Sequence, residues 1–379
     1  MAHDTSMRGL TKLIHTYRTP LETLIEISIS RCALIENYEA FVNAYNIPVA
    51  PVLKSNAYGH GLLPVARILA KESPPLLVVD SYYEADLLRR DGIRTPILII
   101  GFVPVNVIKK SKLTNVAFVV TSVEGLAALM QTGSKANVHI KLDTGMHRQG
   151  VLPQHIGEAI AMLKKSSLVV EGVCSHLASA DSDPTFTHKQ IDLWNKSVSV
   201  WRQAFPLIHY WHIAASAGSV YTHECDTNLI RLGAGLYGYE RIPSRSLPLL
   251  PVLSMHTQIT IIKEIGAGET VGYNGTFVAP GPMRIATVPV GYFEGYDRRL
   301  SNKGVMLVGG VACPVIGRVS MNMTTLDVTQ CAAEFGSEVV VISDNPVDPN
   351  SLGNLSYLCD MSPLEFVVHI PQHLRRVVV

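Results

Sequence analysis

Eight short apolar runs, each separated from the next by an amphipathic segment, occupy residues 49–53, 76–79, 97–101, 116–120, 138–142, 169–175, 209–212 and 229–232. Most are continuous rather than alternating, the pattern of strands covered on both faces. Apolar residues recur at helical spacing between them, in 63–71, 83–90, 123–130, 155–165 and 186–205. Eight β–α units of this length predict a (β/α)8 barrel of the TIM type, which takes about 250 residues. An open doubly wound sheet would instead carry a glycine fingerprint after its first strand, and Gly59 and Gly61 do not fit G-x-G-x-x-G. Ahead of the barrel, 24–29 alternates like a half-buried strand. Residues 30–45 carry Leu34, Ile35, Tyr38, Phe41 and Val42 at helical positions.

The pattern changes near residue 245, at the proline-bearing stretch Ser244-Arg245-Ser246-Leu247-Pro248-Leu249-Leu250-Pro251. Helical spacing then nearly vanishes. Short β-branched segments follow at 257–265, 283–289, 305–307, 311–316, 324–328 and 339–342, several divided by glycine and asparagine turns. The expected organisation is an α/β class chain: a cofactor-binding barrel over 20–247, then a mostly antiparallel β domain over 248–379, to which residues near the N-terminus add a strand. Residues 363–379 form too short a stretch to assign.

Hydrophobic residues make up 47% of the 379 and charged residues 17%, which leaves ample apolar surface for a core and a subunit interface. A net charge of +1 gives no support for nucleic-acid or acidic-membrane binding. The six cysteines are scattered with no close pair, which argues against a zinc site or a disulfide framework and fits reduced thiols in the cytoplasm. Residues 1–19 are polar and basic without an apolar stretch, so no secretory signal is expected, and no run has the length to span a bilayer.

The functional residues of such a barrel gather at the C-terminal ends of its strands. Lys54 ends the first, between the apolar run and the small, glycine-bearing Ser55-Asn56-Ala57-Tyr58-Gly59-His60-Gly61. A lysine there either snorkels to water or is desolvated and reactive. Residues 141–148 end the fifth strand, Ser175-His176 the sixth, and Arg231 the eighth, while His212 and Ser216-Ala217-Gly218 follow the seventh. The small-residue turns Ser216-Ala217-Gly218 and Gly233-Ala234-Gly235 lie after strands seven and eight, where barrels often cradle a phosphate on backbone N–H groups. A reactive lysine facing a phosphate cradle points to pyridoxal 5'-phosphate, a phosphorylated aldehyde held as a Schiff base. Arg231 is placed to face the ring nitrogen, to which an arginine can only donate.

The run Val52-Leu53-Lys54-Ser55-Asn56-Ala57-Tyr58-Gly59-His60-Gly61 resembles the cofactor-lysine motif of alanine racemases. Four further stretches match in order: 141–150, 231–239, Val271-Gly272-Tyr273 and Gly317-Arg318-Val319-Ser320-Met321, so that the resemblance runs from about residue 24 to 376. It implies that Lys54 carries the cofactor and serves as one acid–base group, while Tyr273 serves as the other from the partner subunit of a head-to-tail homodimer. It implies phosphate contacts for Tyr58, Ser216 and the backbone of Gly233, a ring-nitrogen contact for Arg231, and a ring-side place for His176. Arg148 would lie near the phenolic oxygen, Met321 would offer its N–H to the substrate carboxylate, and Tyr292 would line the substrate entrance. Lys141 matches a lysine that is carbamylated in some members. The implied reaction is the interconversion of L- and D-alanine, supplying D-alanine for peptidoglycan, with no metal.

Three departures bear on substrate preference. Many members carry a tyrosine in the C-terminal tail, and none follows Tyr357 here; Asn322 stands where aspartate is common, and His147 where glycine is common. A broader racemase of serine or lysine is the nearest alternative. A decarboxylase of the same fold would pair the ring nitrogen with a carboxylate and use a catalytic cysteine, which Arg231 argues against. A non-catalytic carrier of the cofactor would lack the second domain. Outside their motifs, Tyr273 reads as a core or turn tyrosine, His212 as a satisfied core histidine, and Lys141 with Asp143 as an ion pair.

Overall fold

The structure, a computed structural model, describes residues 23–239 and 247–379. The reading of residues 1–19 and the first three residues of the proline-bearing stretch, 244–246, therefore fall outside the described residues. After the strand β1 (Glu26–Ile29) come the barrel strands: β2 (Val49–Pro51), β3 (Leu77–Val79), β4 (Ile97–Ile99), β5 (Val116–Val120), β6 (Asn137–Lys141), β7 (Val169–Cys174), β8 (Tyr210–His212) and β9 (Ile230–Leu232). Strands β3 to β8 form one parallel sheet in sequence order, and β2 pairs with β9. The bridges Val52↔Val78 and Ala215↔Arg231 join these two pieces and close the ring. The strands stop up to two residues short of the apolar runs because pairing ends where the chain turns out toward the mouth.

Alternate residues on each strand explain why the runs are continuous. Ala50, Val52, Val78, Leu98, Ala117 and Val119 pack together inside the barrel. Val49, Leu53, Leu77, Val79, Ile97 and Ile99 face outward into the larger core shared with the helices. The helices start where side chains cap them: Ser30 accepts from Ala33 N–H, Ser81 forms a capping box with Glu84, and Ser122 accepts from Gly125 N–H. A short helix at Val105–Lys110 completes a β–α unit that the periodicity did not reveal.

The second domain holds β10 (Leu253–Gln258), β11 (Ile261–Ile265), β12 (Thr270–Val271), β13 (Phe277–Val278), β14 (Met283–Val288), β15 (Val305–Val308), β16 (Val311–Pro314), β17 (Thr324–Asp327), β18 (Glu338–Ile342) and β19 (Arg376–Val378). A six-stranded sheet runs β16-β15-β18-β10-β1-β19, beside a three-stranded sheet β11-β14-β17 and the hairpin β12-β13. Strand β1, though first in sequence, lies antiparallel to β10 and parallel to β19. The stretch 257–265, expected as one strand, is two. The chain changes sheets at Ile259-Thr260, whose N–H groups donate to Ser337 and Thr287 carbonyls. The helix Pro363–Val368 and the strand β19 lie in the stretch 363–379 that the sequence left open, and the helix Leu352–Leu358 precedes them. Among the described residues no helix is long and apolar enough to cross a membrane.

Candidate active site

Beyond β2 the Leu53 N–H donates to the Val78 carbonyl at 2.7 Å, and the chain then turns sharply. Ser55, Asn56, Ala57 and Tyr58 take φ values of 56°, 56°, 53° and 52°. Each such left-handed non-glycine residue costs roughly 1–2 kcal/mol, so the turn needs outside support. Asn56 N–H donates to Glu84 Oε1 at 3.1 Å, and Asn56 Oδ1 accepts from Leu62 N–H at 2.9 Å. His60 is fully buried and its Nδ1–H reaches the Ala57 and Tyr58 carbonyls at 3.1 and 3.0 Å. Gly59, at φ 84°, backs so closely onto the Val367 carbonyl that a Cβ would lie 2.4 Å from its oxygen. The turn puts Lys54 and Tyr58 on the wall of one cavity of about 350 Å³ at the barrel mouth, within the range of small-molecule sites.

Across that cavity the two small-residue turns meet at Ser216 and Gly233. Ser216 Oγ accepts from the N–H groups of Gly233 and Gly235 at 3.2 and 3.1 Å. A Cβ on Gly233 would meet the Tyr58 hydroxyl at 2.7 Å, so only glycine lets these groups share one spot. Arg231 is 7% exposed, and its guanidinium donates to the Ser175 carbonyl at 2.7 Å, the His212 carbonyl at 2.8 Å and the Ile213 carbonyl at 3.1 Å. It also reaches His212 Nδ1 at 2.6 Å and His176 Nδ1 at 3.2 Å.

An arginine can only donate, so both histidines accept at Nδ1. His212 then carries its proton on Nε2, which lies 2.8 Å from His139 Nδ1. His139 in turn keeps its proton on Nε2, a buried atom with no partner among the described residues. Burial and the Arg231 charge hold His212 well below the usual histidine pKa and push His139 down to about 3. His212 is thus a satisfied core histidine, and also part of the support of Arg231. His139 was not singled out by sequence. Its spacing from Lys141, two residues along β6, carried the signal that both point into the barrel.

Lys54, Lys141, Arg148 and Arg231 all line the cavity, and Asp181 is the one acid among the described residues that do so. Burial, followed by the charges of Arg231, Arg148 and Lys54, lowers the Lys141 pKa. His176 is pushed down to about 3 by burial and the same cations. Lys141 Nζ donates to Gln149 Oε1 at 3.2 Å, whereas Asp143 Oδ1 accepts the N–H groups of Gly145 and His147 at 2.9 and 3.1 Å. Asp143 therefore shapes the 143–150 turn, in which His147 is held at φ 52°, a conformation that glycine adopts without strain. A pocket with four cations, one of them the strand-end Lys54, and with Tyr58 and Ser216 on its wall fits pyridoxal phosphate, whose phosphate and phenolate are anionic.

Tyr273, Tyr292 and Met321 lie elsewhere, on the second domain, and none lines the cavity. They are 68%, 42% and 54% exposed. Tyr273 sits in the turn between β12 and β13, with Gly272, Asn274 and Gly275 at positive φ. Tyr292 N–H donates to the Ser320 carbonyl at 3.0 Å and Phe293 N–H to the Met321 carbonyl at 2.9 Å, which ties their two loops together. The buried Glu294, which sequence reasoning passed over, accepts from Gly291 N–H at 2.8 Å and from Asn322 Nδ2 at 2.6 Å, so Asn322 is a donor to an acid.

Models of the alanine racemase N-terminal domain and C-terminal domain match residues 29–241 and 252–378. An alanine racemase of Syntrophobacter fumaroxidans is 37% identical over 346 residues, 88% of this chain and 92% of that protein. The crystal structure of alanine racemase from Bacillus anthracis with bound L-Ala-P is 28% identical and superposes with a TM-score of 0.85, covering 95% of this chain and 96% of that one. The alanine racemase of Bartonella henselae with covalently bound pyridoxal phosphate shares the fold, with a TM-score of 0.84 and 23% identity over 94% of this chain and 100% of that one. Two matched domains spanning both halves, on a barrel whose mouth carries the lysine, the two small-residue turns and the buried arginine, place the chain in the alanine racemase family.

Proposed function

We propose that the protein interconverts L- and D-alanine by proton exchange at Cα, using pyridoxal phosphate held at the barrel mouth, and that it supplies D-alanine for peptidoglycan in the cytoplasm. The observation that carries this reading is the convergence of Lys54, Tyr58, Ser216, Gly233 and Arg231 on one cationic cavity. When bound, the cofactor accepts the electron pair left at Cα. Lys54 would hold it through Nζ and would move the Cα proton on one face. The Tyr58 and Ser216 hydroxyls and the Gly233 N–H, which here donates to Ser216 Oγ at 3.2 Å, would hold the phosphate. Arg231 would donate to the ring nitrogen and, having no proton to give up, would leave it unprotonated. That weakens the electron sink and restrains side reactions such as transamination. His176 would pack beside the ring, Arg148 would lie near the phenolic oxygen, and a carbamylated Lys141 would orient Arg148.

On the opposite face the second acid–base group is Tyr273 from the partner subunit of a homodimer. Its exposure, with that of Tyr292 and Met321 on the same domain, supports this division of labour. Met321 offers its N–H to the substrate carboxylate and Tyr292 lines the entrance. In this reading residues 20–247 bind the cofactor and 248–379, together with β1, complete the neighbour's site. The test is a racemisation assay over a panel of L-amino acids with added pyridoxal phosphate. Alanine should be turned over with the highest kcat/KM; a higher value for serine or lysine would replace this assignment with a broader racemase.

A further inference from the structure

The left-handed turn after Lys54 has one support that comes from the far end of the chain. Arg376, in β19, directs Nε and Nη2 to the Gly59 carbonyl at 3.2 and 2.9 Å, across a sequence separation of 317. The same guanidinium donates to the Ile370 carbonyl at 3.1 Å and the Leu374 carbonyl at 2.7 Å, and also to that of Pro371. Every one of these acceptors is a backbone carbonyl. A planar fork with five donors can serve one carbonyl from two nitrogens while holding the tail with the rest. A lysine ammonium has three donors and no fixed plane.

The place it grips matters. Gly59 closes the run of four left-handed residues, and its own φ is 84°. The helix Pro363–Val368 sets the Val367 carbonyl where a Cβ on Gly59 would lie. Inside the turn, His60 is stacked on Tyr237 at 4.3 Å, and the Tyr237 hydroxyl donates to the Val52 carbonyl at 2.9 Å. Arg376 thus grips the outer end of a turn whose inner end is the Lys54 strand.

We propose that Arg376 is a positioning residue for the cofactor site: by holding the Gly59 carbonyl it keeps the strained turn in the shape that delivers Lys54 and the Tyr58 hydroxyl to one cavity. This rests on the reading of Lys54 and Tyr58 as cofactor-binding groups. The plainer role, fastening the tail to the barrel, predicts a different set of results.

The experiment uses full-length Arg376→Met, Arg376→Lys and Lys54→Ala beside the unaltered protein. Each is stripped of cofactor and titrated with pyridoxal phosphate, its melting temperature is measured without cofactor, and amide hydrogen exchange is followed over residues 55–61. Arg376→Met should weaken cofactor binding by about tenfold or more, roughly 1.4 kcal/mol, and speed exchange in 55–61. Its cofactor-free melting should stay within a few degrees of the parent, and low concentrations of guanidinium ion should restore the affinity. Arg376→Lys should recover only part of the loss. Unchanged affinity and exchange in Arg376→Met overturn the proposal, as does an affinity loss that follows global unfolding and is not rescued by guanidinium. Lys54→Ala separates the two layers. If it loses covalent attachment while Arg376→Met binds normally, only the Arg376 role fails; if it keeps covalent cofactor, both fail.

Discussion

Arg231 shows what a buried charge demands of its neighbours. Its hydrogen bonds end on carbonyls and on histidine nitrogens held neutral, so the guanidinium keeps its charge without a carboxylate. Lys54, Ser216, Gly233 and Arg231 were legible in sequence because barrels display residues at strand ends. His139 and Glu294 were not, because their parts depend on contacts between segments far apart in the chain. Lys54→Ala should abolish the absorbance of covalently bound cofactor in the purified protein. Tyr273→Phe should depress solvent-deuterium incorporation much more from one enantiomer than from the other; an equal loss from both would count against two acid–base groups on opposite faces. Fully buried His60 and His139 have pKa values near 4 and 3, lowered chiefly by desolvation from an ordinary 6.5. Unfolding therefore takes up protons below pH 6.5, and stability contributed by their neutral forms is lost as pH falls from there toward 4. The melting temperature should drop between pH 7 and pH 5, and less steeply in His60→Gln.

At the level of elements, the apolar runs announced the barrel because periodicity is a local signal. The four left-handed residues after Lys54 were hidden because they run against the preferences of serine, alanine and tyrosine, and persist only under tertiary restraint. The division of 257–265 into β10 and β11 was hidden for a related reason: the apolar pattern does not break there, and the change of sheet is set by the partners of Ile259 and Thr260. Gly59 is the sharpest test of the turn. An alanine there combines φ 84° with a Cβ 2.4 Å from the Val367 carbonyl oxygen. Gly59→Ala should lower stability by about 2 kcal/mol or more in urea unfolding, and cofactor affinity should fall with it.

For the whole molecule, the separation of Tyr273 from the Lys54 cavity leads to a mixing experiment. If each site draws Lys54 from one subunit and Tyr273 from the other, a dimer of one Lys54→Ala chain and one Tyr273→Phe chain has one intact site and one doubly altered site. Unfolding and refolding the two inactive proteins together should restore about a quarter of the parental activity, since half of the dimers are mixed and each has one working site of two. No recovery, with sedimentation showing that mixed dimers form, would place both groups in one subunit. The two-domain plan was visible in the loss of helical spacing near 245. The membership of β1 in the second sheet was only suggested by sequence, since pairing across such a distance leaves no local mark.

That pairing also sets an order of events during synthesis. Strand β1 leaves the ribosome before any barrel strand, yet its parallel neighbour β19, with Arg376, follows only after all the barrel strands and the other strands of the second domain. At usual rates of about 5–20 residues per second, the Lys54 turn emerges roughly 15–60 s before the side chain that grips its outer end. A nascent chain can close its barrel in that interval, but its active-site turn waits unbraced until β19 has been made.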